Sequence, residues 1–401
     1  MITGIEIIAA ATAGLIGLGA LENHLHKRAL GRIPIRIHVS GTRGKSSVTR
    51  LLAAGLRGAG IRSAAKTTGT LARMILPDGR EVPVFRPSGA NIMEQKRIVA
   101  AACDLDVEAL VIECMALNPG LHWISENKLV KATHGIITNA REDHLDVMGP
   151  TDHHVAQCLA GMIPVKGTLY TAELIHRHIF EEAARDRGTT CYVVEEPSVA
   201  SVTDKELAGF SYLEHAENVA LCIRVLEDLG IDRETAIQGM WQARPDPGAL
   251  TEHEIDFFGR KIVFINGFAA NDPLSTERIW RKSLESHPKR DQLIAVFNMR
   301  GDRPERTNQL ARRTDFWHIA DKIVLMGSGA HAFARLASKT EVDSGKFIFA
   351  DFDRADEIFE AVVGACKQNT LVVGMGNIGG LGLSVVNYFK NRSILKELPQ
   401  C

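Results

Sequence analysis

Hydrophobic and polar positions fall into distinct patterns along the chain. Residues 2–21 are apolar almost without a break, interrupted by Thr3, Glu6 and Thr12. From Ile35 onward, short apolar runs alternate with longer mixed segments, as expected for strands followed by helices. Ile35-Arg36-Ile37-His38-Val39 predicts a strand, and Ser47-Val48-Thr49-Arg50-Leu51-Leu52 opens a helix. Residues 61–70 predict a second strand, and Asp78-Gly79 a hairpin turn between 71–76 and 81–85. A helix is expected over 92–102. A buried parallel strand follows at Ala109-Leu110-Val111-Ile112, ending in Glu113. Strands at 134–138, 169–171 and 190–194 alternate with helices at 151–162, 175–187 and 215–229. Proline and glycine cluster in Ala243-Arg244-Pro245-Asp246-Pro247-Gly248, which marks a domain boundary. Beyond it, strands are expected at 261–265, 293–297, 322–326, 346–349 and 370–373, with helices between.

This alternation predicts an α/β protein in three parts: an N-terminal helix with a basic flank (1–32), a phosphate-binding sheet domain (33–247), and a smaller Rossmann-like domain (248–401). The first part is long enough to cross a bilayer, since about 20 helical residues span roughly 30 Å. His24, His26, Lys27, Arg28 and Arg32 follow the apolar run. The positive-inside rule then predicts a single N-terminal span in the cell membrane, with the catalytic domains cytoplasmic. A cleaved signal peptide fits less well, because no basic segment precedes the apolar run. Glu6 is costly within a bilayer and is tolerable near the helix end or against a partner.

Composition narrows the function. A net charge of −1 in 401 residues gives no basic footprint, so nucleic acid is not an expected partner. The 7 cysteines show no CxxC spacing and an odd count, which reads as reduced thiols and not a disulfide framework.

The chemistry concentrates at Gly41-Thr42-Arg43-Gly44-Lys45-Ser46-Ser47, between the first strand and its helix. A strand, a glycine turn and a helix start form a phosphate cradle, with backbone N–H groups and the helix dipole aimed at the anion. Lys45 is placed to reach the outer phosphates, and the Ser46 hydroxyl to hold Mg²⁺. The spacing is shorter than the usual G-x-x-x-x-G-K-[ST], because the preceding glycine is Gly41. Glu113, at the carboxyl end of a parallel strand, is placed to ligate Mg²⁺. His144, in Glu142-Asp143-His144-Leu145-Asp146, is a candidate ligand for a second divalent ion. Arg86 is a candidate clamp for a substrate carboxylate. Gly374-Met375-Gly376-Asn377-Ile378-Gly379 matches GxGxxG but lies too near the end for a dinucleotide unit, and reads as the last strand–helix turn.

Together these residues resemble the Mur ligase superfamily, ADP-forming acid–amino acid ligases that include folylpolyglutamate synthase. Lys66-Thr67-Thr68-Gly69-Thr70, Glu113-Cys114-Met115-Ala116, the run from Glu142 to Thr151, Pro245-Asp246-Pro247-Gly248 and Asn266-Gly267-Phe268-Ala269-Ala270-Asn271-Asp272 more narrowly resemble its poly-γ-glutamate synthase B-subunit branch. That resemblance covers essentially the whole chain. It implies a P-loop Mur-type central domain that binds ATP with Mg²⁺ or Mn²⁺. Lys45 would hold the β/γ-phosphates, Ser46 and Glu113 the first metal, and Glu113 and His144 the second. Asn218 would meet the adenine. Arg300 and Asp302 would close over nucleotide or substrate, and Asn266 and Asn271 would help bind the incoming amino acid. The implied partners are glutamate, the growing poly-γ-glutamate chain, companion membrane subunits and further copies of the chain.

Two departures stand out. The carbamylated lysine of many superfamily members falls at Leu159, so the carbamate is expected to be absent. Only the apolar N-terminal segment precedes the ATP loop, so no Mur-type substrate domain is expected. The implied reaction forms an acyl phosphate from a carboxylate and ATP, and an amine then attacks it. Asp143 and Asp146 are weak candidates for the amine's base. Closure about Gly248 is expected to keep out water. Other readings are a superfamily ligase for another carboxylate and a membrane-tethered P-loop regulatory ATPase.

Overall fold

The computed structural model describes residues 3–393 apart from Thr70, Pro87, Ser88, Leu213, Pro247, Ala249, Asn271, Glu341 and Phe352. The expectation for Asn271 therefore lies outside the described residues, as do those parts of the expected turns that fall on Thr70 and Pro247. The chain separates into two units. One comprises the chain to Phe210 with His215–Arg244, and the other comprises Ser211–Glu214 with the chain from Pro245.

The first unit holds eight strands: β1 (Ile35–Ser40), β2 (Ser63–Thr67), β3 (Arg73–Ile75), β4 (Glu81–Pro83), β5 (Ala109–Glu113), β6 (His134–Ile137), β7 (Thr168–Thr171) and β8 (Thr190–Val193). Their order is β4-β3-β2-β5-β1-β6-β7-β8. The six strands from β2 to β8 pair in parallel, and the hairpin β3–β4 adds the antiparallel edge. Burial on both faces explains why β5 reads as an unbroken apolar run.

Helix α1 (Gly4–Gly31) starts with a capping box: the Thr3 hydroxyl accepts from Glu6 N–H, and the Glu6 carboxylate accepts from Thr3 N–H at 2.8 Å. Glu6 thus serves the helix start, where a carboxylate also complements the helix dipole. Among the described residues, α1 is the one helix long and apolar enough to cross a membrane, and its apolar window is wholly exposed. Its last turns belong to the folded unit. His26 Nε2 lies 2.8 Å from Leu129 O, and Leu30 and Ile33 join the core that contains Ala64, Ile98 and Val99.

The second unit has a six-stranded sheet of β9 (Thr251–Phe257), β10 (Arg260–Asn266), β11 (Gln292–Asn298), β12 (Lys322–Met326), β13 (Phe347–Ala350) and β14 (Asn369–Gly376), ordered β13-β12-β11-β14-β10-β9. Five strands run parallel and β9 pairs antiparallel with β10. The glycine-rich segment 374–379 joins β14 to helix Leu381–Asn391, as the last strand–helix turn.

Candidate active site

β1 lies between β5 and β6, and the chain leaves it toward β2 before returning on the other side at β6. The carboxyl end of β1 is thus a topological switch point, where open α/β sheets bind ligands. There the chain turns through Gly41, at φ 125°, and Gly44, at φ 82°, into helix α2 (Lys45–Gly58). Glycine is required at both positions. A Cβ on Gly41 would stand 2.0 Å from Thr138 Oγ1, and one on Gly44 2.7 Å from Asn218 Oδ1.

Asn139, just beyond β6, clamps this loop. Its Oδ1 accepts from the Thr42 hydroxyl at 2.7 Å and from Arg43 N–H at 3.0 Å, and its Nδ2 donates to Arg43 O at 3.2 Å. Arg43 Nη1 donates to Asp143 Oδ2 at 2.7 Å. Lys45 folds over the loop and donates to Gly41 O at 2.7 Å and Thr42 O at 3.2 Å. Ser47 sits half-buried in the first turn of α2. Asn139→Ala removes three contacts of a part-buried loop at about 1–3 kcal/mol for the groups left unpaired. The expected outcome is a loop that no longer holds its shape, seen as a several-fold rise in the KM for ATP together with a thermal midpoint lowered by a few degrees.

Ser46 and Glu113 come together. The Ser46 hydroxyl donates to Glu113 Oε2 at 2.9 Å, and the same oxygen accepts from Thr68 N–H at 2.6 Å. Glu113 is 2 % exposed. A hydroxyl and a carboxylate at this spacing form a pair of hard oxygen donors, which suits Mg²⁺ or Mn²⁺. His144 occupies the left-handed region at φ 48°, with Nε2 3.9 Å from Asp143 Oδ1. Among the described residues no group of three or more His, Cys, Asp or Glu side chains is placed to hold a metal. Leu159 is fully buried in an apolar cluster with Val155, Ala156 and Phe180, so that position offers no ligand.

Arg86 sits elsewhere than in a free clamp. It forks onto Glu94, donating at 2.8 and 2.7 Å, and Lys66 Nζ stands 2.6 Å from Glu94 Oε1. Burial pulls the Lys66 ammonium below its ordinary value, with Glu94 pulling it back. Burial pushes the Glu94 carboxyl up, but Arg86 and Lys66 outweigh it and hold the group below the usual carboxylate range. A second buried pair follows Glu113. Cys114 Sγ lies 3.7 Å from His122 Nδ1. Burial opposes charge on both groups. The charge of Cys114 nonetheless lifts His122 to about 9, and His122 and His38 hold the Cys114 thiol well below its ordinary value. His38 in turn lies 2.8 Å from Glu126.

In the second unit, Asn266 ends β10 and is buried. Arg300 and Asp302 share the loop after β11, where Arg300 Nε and Nη2 donate to the Asp302 carboxylate at 2.9 and 2.6 Å. That guanidinium lies against the glycine-rich turn, since a Cβ on Gly379 would stand 2.5 Å from Arg300 Nη1. Arg306 Nη1 donates to Asn377 Oδ1 at 2.7 Å, and Asn298 Nδ2 to Gly379 O at 3.0 Å. Sequence reading missed Asn139, Lys66, Glu94, Arg306 and Asn377 as site-building residues. For Asn139 the signal was its position just after a strand end.

Residues 39–161 match the Mur ligase middle domain, and residues 252–392 match the poly-gamma-glutamate synthase CapB C-terminal domain. The chain is 36% identical over 399 residues to the capsule biosynthesis protein CapB of Bacillus anthracis, covering 99% of this chain and 85% of that protein. It is 35% identical over 376 residues to the PGA synthase CapB of Bacillus subtilis (strain 168), covering 93% and 95% respectively. Among solved structures it resembles E. coli FolC in complex with ADP, without folate substrate, at a TM-score of 0.67 and 16% identity, over 92% of this chain and 93% of that one. Mycobacterium tuberculosis folylpolyglutamate synthase complexed with ADP and AMPPCP gives 0.66 and 16%, over 94% and 98%. These structural likenesses establish an α/β Mur-ligase-like fold.

Proposed function

This chain belongs to the CapB family of poly-gamma-glutamate synthases, and we propose that it is an ATP-dependent, ADP-forming amide ligase that joins glutamate units into poly-γ-glutamate. The observation that carries this reading is the meeting of Ser46 and Glu113 under a glycine loop at a sheet switch point.

In this reading the Gly41–Gly44 backbone and the α2 N-terminus hold the ATP phosphates. Lys45 leaves the Gly41 and Thr42 carbonyls to meet the γ-phosphoryl group. Ser46 and Glu113 would hold Mg²⁺ or Mn²⁺, which would supply positive charge against that developing in the phosphoryl transfer. A bifunctional folylpolyglutamate synthase/dihydrofolate synthase of similar fold, solved with Mn, AMPPNP and L-glutamate bound, supports the ion and nucleotide proposed here. His144 would be a further donor to the ion, and Asn218, beside Gly44, would face the nucleotide base. The acceptor's carboxylate oxygen attacks the γ-phosphorus, forming an acyl phosphate and releasing ADP. The amine of an incoming glutamate then attacks the acyl carbon, phosphate leaves, and an amide remains. Arg300, Asp302, Asn266 and Asn271 of the second unit serve substrate or nucleotide, and Arg86 turns from Glu94 to a substrate carboxylate.

The exposed apolar face of α1 supports a single membrane span, and the basic residues that follow it support placing both units in the cytoplasm. It also leaves surface for companion membrane subunits or further copies of the chain. Removing residues 1–21 is expected to shift the protein from the membrane to the soluble fraction on cell fractionation. The same fractionation, run on the full chain, retires the span if carbonate washing releases it.

The test of function supplies membranes holding the protein with ATP, Mg²⁺ and one amino acid at a time. Glutamate-dependent ADP release with products spaced by one glutamyl residue is the expected result. ATP turnover indifferent to every amino acid would favour a regulatory ATPase, and AMP in place of ADP would rule out the acyl phosphate.

A further inference from the structure

Away from the phosphate loop, four imidazoles gather where two helices begin. One helix, Asp152–Ala160, starts with Asp152, His153 and His154. The helix Arg177–Asp186 is capped by His176 and carries His178 in its first turn. The His153 ring centroid lies 5.9 Å from that of His154, 5.9 Å from that of His176 and 6.4 Å from that of His178. The two helices pack together from the carboxyl ends of the adjacent strands β6 and β7.

We propose that His153, His176 and His178, with Asp152, form a binding site for a divalent transition ion of the Zn²⁺, Co²⁺ or Ni²⁺ type. His176 carries the argument. Its side chain is 10% exposed, and its buried Nε2 makes no aligned hydrogen bond. That nitrogen nevertheless stands 3.2 Å from Asp152 Oδ2. A buried ring nitrogen without a hydrogen bond is costly in a protein that satisfies its polar groups. Two donors each about 2.1 Å from one ion, at angles between octahedral and tetrahedral, lie roughly 3.0–3.4 Å apart. The His176–Asp152 pair already has the separation of neighbouring ligands on one ion.

The other rings can reach the same point. His153 and His178 are both exposed, so their rotamers are not locked by packing. As placed, the side chains do not bring three donors to one point. Rotation of these two exposed rings supplies the third and fourth. His154 is held differently, with Nδ1 2.8 Å from the Thr151 hydroxyl, and is left out of the site.

Ligand chemistry sets the ion class. Imidazole with a single carboxylate suits Zn²⁺, Co²⁺ and Ni²⁺, whereas Mg²⁺ takes oxygen donors of the Ser46–Glu113 kind. An ion here would tie the starts of the two helices. It would also bear on the nucleotide loop through Glu173, whose carboxylate accepts from Ile175 N–H and His176 N–H on one side and from Ala140 N–H on the other.

The test uses the untagged full-length protein in detergent, without nucleotide, titrated with Co²⁺ and read by its visible d–d absorption. A band that saturates at one equivalent and is displaced by Zn²⁺ is expected. His153→Ala and His178→Ala, both at exposed positions and each checked for native circular dichroism, are expected to weaken binding at least about tenfold. His331→Ala, at an exposed histidine of the other unit, is expected to leave it unchanged. The proposal is overturned if no band forms, if both variants bind as the wild type does, or if His331→Ala has the same effect as they do. None of these readouts depends on ligase activity.

Discussion

Lys45→Ala is expected to lower glutamate-dependent ADP release by roughly 10²–10³-fold, the usual effect of removing one group aimed at charge that develops in a transition state. In the proposed site Lys45 is the cation that would swing to the phosphates. Its ammonium contacts, among the described residues, the carbonyls of Gly41 and Thr42, and the residue is part-exposed. Lys45 is itself part-exposed and outside the apolar core, so the variant should fold with its thermal midpoint little changed. The effect should appear mainly in kcat, with a smaller rise in the KM for ATP, because the backbone N–H groups of the cradle remain. Pre-steady-state quench-flow on the same preparation separates the two. A loss confined to KM would make Lys45 a ground-state binding group only.

Glu94→Ala is expected to destabilise the first unit by about 3–5 kcal/mol, the scale for breaking a buried ion pair by removing one partner. Glu94 is shared by two cations, Lys66 with a fully buried side chain and Arg86 at 20% exposure. Deleting the carboxylate leaves both without their counter-charge. Glu94→Gln should cost less, since it keeps shape and some hydrogen bonds. Lys66→Met combined with Glu94→Ala should recover part of the loss, because the buried ammonium is then gone. Urea unfolding of the purified protein in detergent measures all three against the wild type. A change below about 1 kcal/mol for Glu94→Ala would mean that the two cations find water in solution.

Much of the architecture was legible because parallel strands buried on both faces are written as apolar runs. Ala109–Glu113 and Lys322–Met326 fall where the pattern placed them. β9 was missed for the opposite reason. It is an edge strand, Thr251–Phe257, with only His253 and Ile255 buried, so its sequence is mostly polar. Its hairpin turns through Phe258 and Gly259, both at positive φ, without the Asn-Gly or Asp-Gly signature of such turns. Helix Pro119–Ile124 and the π-helical turn Ser125–Val130 were also missed, since polar residues there are buried against His38 and Gln95 and no apolar period remains.

The site divides in the same way. The loop Gly41–Ser46 was legible because its chemistry is local: a strand end, two glycines and a helix start. Glu113 was legible as a carboxylate ending an apolar run. What brings Asn139 onto Arg43, or Glu94 between Lys66 and Arg86, is the register of parallel strands and the packing of distant helices, and no local pattern records either. Arg86 illustrates the limit. A loop arginine after a hairpin invites a substrate, and no local pattern records that the fold also pairs it with a carboxylate eight residues on.

The most direct test of the ligase account labels both oxygens of the acceptor's reacting carboxylate with ¹⁸O and follows the label through one turnover with ATP, Mg²⁺ and glutamate. An acyl phosphate requires one labelled oxygen to leave in inorganic phosphate, with ADP as the nucleotide product. Label in AMP, or phosphate that carries none while amide is formed, would contradict the account.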